Sequence, residues 1–141
     1  MADDSGDFAR SMGIATSGLR AQAGRMRVIS ENIANAESTA PTAGGDPYRR
    51  KVPTFTSELD RTLDAKVVTP GKIRPDASAF RVKHDPGNPA ADAAGNVKYP
   101  NVNPLVEMTD MRDAQRSYEA NLNIISATRR MIQRTLDILK A

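Results

Sequence analysis

The sequence predicts a mainly α protein in which long N- and C-terminal helices pair as an antiparallel coiled coil around a small middle insert. Apolar residues recur at heptad spacing near both ends of the 141-residue chain, and prolines and glycines break the stretch between them. The last helical stretch is too long to be covered within a compact domain of this size, so it needs a long partner. We therefore predict a terminal-helix coiled-coil domain at residues 1–37 and 103–141, and a β-rich or irregular insert at residues 38–102.

The first helix is predicted at residues 6–37. Gly13, Gly18 and Gly24 lie inside this segment, and each costs about 1 kcal/mol relative to alanine in a helix interior. Either the helix frays when alone, or neighbouring backbones approach closely at the glycines, and in both cases packing orders it. One side of its heptads holds Met12, Leu19, Met26 and Ile33, and the other holds Phe8, Ala15, Ile29 and Ala36, with Gln22 as the polar member.

The middle of the chain is predicted to contain short strands and loops. Residues 48–55 are extended, and Pro53 restricts them to a sheet edge. Residues 63–68 and 79–84 are candidate strands, and residues 97–99 are a third. The sequence DPGNPAADAAG, which precedes the third candidate, is typical of a turn-rich loop.

Asn103 and Pro104 are predicted to form the start of the final helix, which runs to the end of the chain. The Asn103 side chain can accept from the first free N–H groups, and Pro104 is tolerated at the first helical position. No proline or glycine follows, and at about 1.5 Å per residue the helix is roughly 55 Å long. Its heptads hold Met111, Tyr118, Ile125, Ile132 and Leu139 on one side and Met108, Leu122 and Leu136 on the other, interrupted by Gln115 and Arg129.

Composition argues against an enzyme. The chain has no cysteine and a single histidine, His84, which excludes thiolate chemistry and multi-histidine metal sites. His84 precedes Asp85 in a turn-like sequence, where an exposed histidine without a catalytic role is the common case. Glu107, Asp110 and Asp113 are better explained as acids that complement the helix dipole than as metal ligands. We expect no catalytic residue, no cofactor and no metal.

Charge and hydropathy limit the partners. No stretch approaches the roughly 18–20 apolar residues of a membrane span, and the acidic N-terminus does not resemble a cleavable secretory signal. The net charge is +3, but its basic residues are scattered, and residues 48–51 (YRRK) are the only dense basic cluster. A small nucleic-acid-binding protein and a coiled-coil adaptor stay as alternatives. Apolar residues outside the heptads favour a second helix face that contacts other subunits: Ile14, Val28, Ile124 and Ile138.

Several motifs resemble those of the flagellar axial proteins. Residues 30–39 (SENIANAEST) are similar to the S-x-N-I-A-N-x-x-T stretch that closes the first helix in that family, and they include Asn32 and Asn35. Residues 101–108 (NVNPLVEM) and 116–121 (RSYEAN) resemble the C-terminal motif of its rod and hook group. The middle stretches that are similar to proximal-rod members of that group are residues 47–53 (PYRRKVP), 85–87 (DPG) and 97–103 (VKYPNVN).

The resemblance implies a non-enzymatic building block of the bacterial flagellar basal body. Such subunits are exported by the flagellar type III apparatus and polymerise in the periplasm, where the rod transmits torque from motor to hook. The implied partners are the chain itself, other flagellar rod proteins, the hook-basal-body complex and the export apparatus, with no nucleic acid and no direct membrane span. The assembly residues expected from the heptads and motifs are Met12, Leu19, Met26, Ile29, Asn32, Ile33, Asn35, Pro104, Met108, Met111, Tyr118, Asn121, Leu122, Ile125, Ile132, Leu136 and Leu139.

Overall fold

The computed structural model describes residues 2–140, so the predicted domain limits at residues 1 and 141 lie outside the described residues. Two long helices flank a middle region of short strands, which confirms the prediction of a mainly α protein with a small β-containing middle. In chain order the elements are α1 (Ala2–Ala34), β1 (Lys51–Val52), β2 (Phe55–Asp60), β3 (Ala65–Pro70), β4 (Arg74–Pro75), β5 (Arg81–His84), β6 (Asn96–Tyr99) and α2 (Pro104–Lys140).

Helix α1 begins at Ala2 and ends at Ala34, so it starts earlier and stops earlier than predicted. Its end is fixed by Asn35, whose backbone N–H and side-chain Nδ2 both donate to the Glu31 carbonyl at 3.1 and 2.8 Å. The Ser38 backbone and hydroxyl then donate to the Asn35 carbonyl. These bonds satisfy carbonyls that the helix end leaves free, and the chain turns away.

Two of the glycines in α1 meet side chains at close range. A Cβ at Gly13 would collide with the Leu63 side chain, and one at Gly18 would lie 2.8 Å from the Asn121 amide nitrogen. Nothing lies within 4 Å of the corresponding position at Gly24. Close approach therefore occurs at two of the three glycines, and side chains rather than backbones make it.

Helix α2 begins at Pro104, as predicted. The Asn103 side chain accepts from the Leu105 N–H at 3.1 Å, and its carbonyl accepts from the Glu107 N–H at 3.1 Å. Asn103 is therefore the N-cap, and Pro104 occupies the position where a missing N–H costs nothing.

The strands form three separate two-stranded antiparallel pairs: β1 with β4, β2 with β3, and β5 with β6. The segments predicted as extended at residues 48–55, 63–68, 79–84 and 97–99 each contain or overlap a strand. Strand β2 was not predicted beyond its first residue, and β4 was not predicted at all. Both are exposed along most of their length, so they lack the buried alternation by which a strand is recognised in a sequence.

The described chain divides into two compact units. The first unit combines residues up to Arg25, Thr54–Lys72 and residues from Asp113 onward, and the second combines Met26–Pro53 with Ile73–Arg112. Each unit thus takes part of both helices and part of the middle region. The division into a terminal-helix domain and a 38–102 insert stays a prediction.

The two units differ in what they bury. The second unit contains a small apolar cluster of Ala40, Ala90 and Val97, against which Ala91 and Tyr99 pack. In the first unit, the buried residues are mostly small, namely Ala15, Ala21, Ala114 and Thr128.

Candidate assembly surfaces

The predicted assembly residues of α1 are all at least half-buried. Ile29 is 2% exposed and Asn32 is fully buried. This helix therefore keeps its predicted heptad residues covered within the chain itself. The half-buried members are Met12, Leu19, Met26 and Ile33, and Asn35, directly after the helix, is half-buried as well.

Helix α2 buries a line of small or polar residues beside its predicted apolar line. Met111, Tyr118, Ile125 and Ile132 are half-buried. A second line of residues, also spaced seven positions apart, lies beside this one on the helix and is more deeply buried. They are Glu107, Ala114 and Thr128, each no more than 2% exposed, and the half-buried Asn121.

The other predicted line of α2 faces away from this covered flank. Met108, Leu122 and Leu136 are 51%, 42% and 45% exposed. Leu139, the last member of the first line, is also exposed, at 69%. In the single chain, the buried line of α2 thus lies one position earlier in the sequence than the predicted one, at Glu107, Ala114 and Thr128. The role of the exposed line in assembly stays a prediction.

Asn32 is the centre of a polar network in the second unit. Its Nδ2 donates to the Lys51 carbonyl at 2.8 Å and to Glu107 Oε2 at 3.0 Å. Its Oδ1 accepts from the Lys51 N–H at 2.9 Å and from the Tyr48 hydroxyl at 2.8 Å. One buried amide therefore joins α1, strand β1 and the first turns of α2, and all four of its hydrogen-bonding positions are used.

Glu107 is the charged member of this network. It is 1% exposed, and Arg50 Nε donates to its Oε1 at 2.6 Å. Arg50 also forms ion pairs with Asp76 at 3.3 Å and with Asp110 at 3.9 Å. A buried carboxylate is tolerated only when it is paired and hydrogen-bonded, as Glu107 is here by Arg50 and Asn32.

The network shifts the pKa of three of its members. Burial lowers the pKa of Arg50, but hydrogen bonds and charges from Glu107 and Asp76 outweigh this effect, and the net direction is upward. Burial, with the charges of Glu31 and Glu107, raises the pKa of Tyr48 to about 12. Hydrogen bonds from Ser78, whose N–H donates at 2.9 Å, lower the pKa of Asp76, and Arg50 adds to the effect.

Sequence reasoning did not find this network. It had assigned Glu107 to the helix dipole, and Glu107 does lie in the first turn of α2. Its partner Arg50 lies 57 residues earlier in the chain. No spacing rule connects two such residues, and the only signal was that both fall within stretches that resemble flagellar proteins.

The dense basic cluster at residues 48–51 is engaged within the chain. The Arg49 guanidinium lies 4.1 Å from the centre of the Phe80 ring and donates to the carbonyls of Asp76 and Ser78. Lys51 forms an ion pair with Glu31, and Arg50 belongs to the network above. These contacts direct the cluster toward its own protein, so no observation favours it as a nucleic-acid interface.

The remaining candidates for chemistry are isolated. His84 is exposed, and its Nδ1 lies 3.4 Å from Asn96 Oδ1. Among residues 6–140, whose side chains the structure describes, no group of three or more His, Cys, Asp or Glu side chains could hold a metal ion. Within the same part of the chain, neither helix has the sustained apolar stretch needed to cross a membrane.

Two family models match the two ends of the chain. The model for "Flagella basal body rod protein" matches residues 12–40, and the model for "Flagellar basal body rod FlgEFG protein C-terminal" matches residues 93–138. The first covers most of α1 with its closing turn, and the second covers β6 and nearly all of α2. These matches define the class as flagellar rod proteins, a structural and non-enzymatic class.

Similar proteins narrow the class further. The chain is 56% identical to the flagellar basal-body rod protein FlgC of Agrobacterium fabrum, over 91% of this chain and 92% of that protein. It is 37% identical to the FlgC of Aquifex aeolicus, over 95% and 98%, and 39% identical to that of Bacillus subtilis, over 92% and 97%. The chain therefore belongs to the FlgC family of flagellar basal-body rod proteins.

Proposed function

We propose that this protein is a structural subunit of the proximal part of the flagellar rod, which polymerises through its terminal helices and transmits torque from motor to hook. It assembles with copies of itself and with other rod proteins of the hook-basal-body complex. It reaches the periplasm through the flagellar type III export apparatus. Membership of the FlgC family supports the structural role, and the observations below support the mode of assembly.

The observation that carries the proposal is the exposed apolar surface of α2. Large apolar side chains stay exposed on both sides of the covered flank, and exposed apolar patches mark interaction sites when they are contiguous. Assembly would remove this surface from water, and at about 25 cal/mol per Å² its burial is a strong driving force. The exposed large apolar residues of α2 are Leu105, Val106, Met108, Leu122, Ile124, Met131, Leu136, Ile138 and Leu139.

Antiparallel pairing of the two helices is part of the proposal. In the first unit, Asn121 of α2 lies against Gly18 of α1. In the second unit, Glu107 of α2 is hydrogen-bonded to Asn32 of α1. The later residue of α1 meets the earlier residue of α2, and this order supports an antiparallel arrangement.

The test uses Leu122→Asp with Asn123→Asp as its matched control. Leu122 is 42% exposed in the single chain, so an aspartate there is tolerated before assembly. In the rod it would be an unpaired carboxylate within an apolar contact, at a cost of several kcal/mol. Asn123 is also exposed on α2, and its substitution adds the same charge without removing an apolar side chain.

We expect cells with Leu122→Asp to make and export the protein but to assemble few or no rods and not to swim. Cells with Asn123→Asp should swim normally. Basal bodies would be isolated from both strains and imaged, and the exported protein would be quantified. Normal rods that contain the Leu122→Asp protein would contradict assembly through this helix surface.

A further inference from the structure

Among the residues that the structure describes, strand β2 pairs only with β3, so its outer edge is free. In the β2–β3 pair, Val68 stands opposite Ser57, but the Val68 N–H donates to Ser17 Oγ at 3.2 Å instead. Hydrogen-bonded and non-hydrogen-bonded pairs alternate along an antiparallel ladder. Ser57 and Leu59 therefore both belong to non-hydrogen-bonded pairs, and their backbone N–H and C=O groups point away from β3. The Leu59 side chain is 60% exposed.

Strand β5 has a free outer edge of the same kind. The Asp85 N–H donates to the Gly95 carbonyl at 2.9 Å, directly beyond the pair formed by His84 and Asn96. By the same alternation, His84 and Val82 belong to non-hydrogen-bonded pairs, and their backbone groups point away from β6. The whole strand is exposed, and Val82 is 64% exposed.

We propose that the β2 edge of one copy pairs with the β5 edge of a second copy as an antiparallel ladder. This inference rests on the proposed function, because it requires copies of the chain to assemble with one another. Unpaired strand edges are templates for pairing between chains, and main-chain hydrogen bonds supply much of the affinity in such contacts. The opposed residues are Ser57 with His84, Glu58 with Lys83, Leu59 with Val82, and Asp60 with Arg81.

Side chains on both faces of the ladder fit this register. On one face, Glu58 stands opposite Lys83, both of which are exposed in the single chain. On the other face, Leu59 covers Val82. Opposite charges and apolar side chains in directly opposed positions are the pairs that stabilise a sheet. Asp60 and Arg81 also hold contacts in their own chain, so the test is placed on Glu58 and Lys83.

Other pairings of the same edges fit less well. A shift of two residues in either direction keeps the outward backbone groups opposed but loses one of the two charge pairs. Pairing β2 with β2 in the register centred on Glu58, or β5 with β5 in the register centred on Lys83, places like charges opposite each other. The favoured contact therefore joins two different edges, and such head-to-tail contacts build either closed rings or open helical filaments.

The register is tested by disulfide cross-linking, since the chain has no native cysteine. In the proposed ladder, residues 58 and 83 form a non-hydrogen-bonded pair with Cα atoms about 4.5 Å apart, which is within the range of a disulfide. The full-length double variant Glu58→Cys/Lys83→Cys would be expressed in place of the native chain. Isolated basal bodies would then be oxidised and separated under denaturing conditions. The control is Glu58→Cys/Val82→Cys, whose thiols lie on opposite faces of the ladder.

We expect a ladder of dimers and longer multimers from the first variant and no such ladder from the control. Intact rods that contain the first variant but show no cross-linked multimers would overturn the strand contact while leaving the rod function standing. Cross-links to a different rod protein, identified by mass spectrometry, would overturn the choice of a second copy. If the unmodified protein is absent from isolated basal bodies, the proposed function itself is refuted.

A charge exchange tests the contact without cysteines. Glu58→Lys and Lys83→Glu each place like charges opposite one another, and each should weaken the contact by roughly two- to fivefold and slow swimming. The double exchange restores an opposite pair, so swimming should recover. If the cysteine variants form no basal bodies, the charge exchange alone tests the strand contact. The proposal is overturned if the double exchange swims no faster than the two single variants.

Discussion

At the scale of single residues, Asn32 has a role that no aliphatic side chain of similar size could fill. It satisfies two backbone groups of Lys51, the Tyr48 hydroxyl and the Glu107 carboxylate. Because Asn32 and Glu107 are buried, water cannot readily replace these bonds when one partner is removed. The network therefore makes the second unit depend on one amide.

Asn32→Ala is expected to lower the free energy of unfolding by about 2–5 kcal/mol, because two donors and two acceptors lose their partner. The matched control is Asn35→Ala, which removes a side-chain bond to the Glu31 carbonyl at the helix end and should cost about 1 kcal/mol. Urea denaturation followed by circular dichroism measures both. Equal, small losses would contradict the central role of Asn32.

The Tyr48 phenol makes stability depend on pH in the alkaline range. Its pKa in the folded protein is about 12, whereas the pKa of a tyrosine in an unfolded chain is about 10. The folded state thus holds this proton more tightly. Its contribution to stability is fully present below about pH 10 and is lost as the pH rises through about 12.

We expect Tyr48→Phe to flatten the decline of stability between about pH 10 and 12, although it also loses the hydrogen bond to Asn32. The measurement compares the slopes of unfolding free energy against pH for the two proteins, so the ionisation of lysines cancels. Absorbance of the phenolate should show a late-titrating tyrosine that is missing from Tyr48→Phe. Parallel slopes for both proteins would disprove the assignment.

The roles of such residues can be predicted only in part from the sequence. Asn32 and Asn35 were predicted because they lie in a stretch that resembles flagellar proteins, and the structure gives each a distinct contact. The pairing of Glu107 with Arg50 was not predicted, because the two lie far apart in the chain and neither is unusual in its own neighbourhood. Buried ion pairs are set by tertiary packing, which local patterns do not encode.

At the scale of elements, both helices could be predicted because a heptad pattern repeats over many turns. Which flank of α2 is covered could not. The sequence rule places large apolar residues such as Leu122 inside, whereas the single chain covers the small Ala114 and Thr128. Small residues let neighbouring groups approach closely, and the large ones stay exposed. A sequence pattern identifies apolar lines on a helix, but it does not show which line is buried within the single chain.

The strands show a second limit of prediction from sequence. Strands β5 and β6 were predicted at nearly their observed positions, but β2 was missed because it is exposed at almost every residue. Hydrophobic alternation reports burial within one chain. A strand that is exposed in the single chain gives a weak signal, whatever it contacts after assembly.

The glycines of α1 allow a test of helix packing. Gly24→Ala should raise the free energy of unfolding by about 0.5–1 kcal/mol, because it improves helix propensity and meets nothing within 4 Å. Gly13→Ala has the same gain in propensity but forces the Leu63 side chain to move. It should therefore be at least about 1 kcal/mol less stable than Gly24→Ala. Thermal and urea unfolding of both variants measure this, and equal stabilisation would show that Leu63 does not pack against Gly13.

At the scale of the whole molecule, the two units are held by different means. The second unit contains most of the large side chains that are fully buried, together with the Asn32 network. The first unit buries mainly small residues, and it carries most of the exposed apolar surface of α2. A unit with few large buried side chains opens at a lower free energy than one with many. The fully buried large side chains of the second unit are Ile29, Asn32, Val97, Pro100, Val102 and Glu107.

This difference predicts a boundary of protection within α1. In dilute monomer, backbone amides at residues 26–34 should exchange hydrogen at least about tenfold more slowly than those at residues 6–25, because the first group belongs to the second unit. Asn32→Ala should abolish the difference by exposing residues 26–34, whereas Gly24→Ala should keep it. Exchange is read by mass spectrometry of peptides that end near Arg25. Uniform strong protection along α1 in a verified monomer would contradict the prediction, since it would mean that the first unit is as stable alone as the second and needs no neighbouring subunit to become ordered.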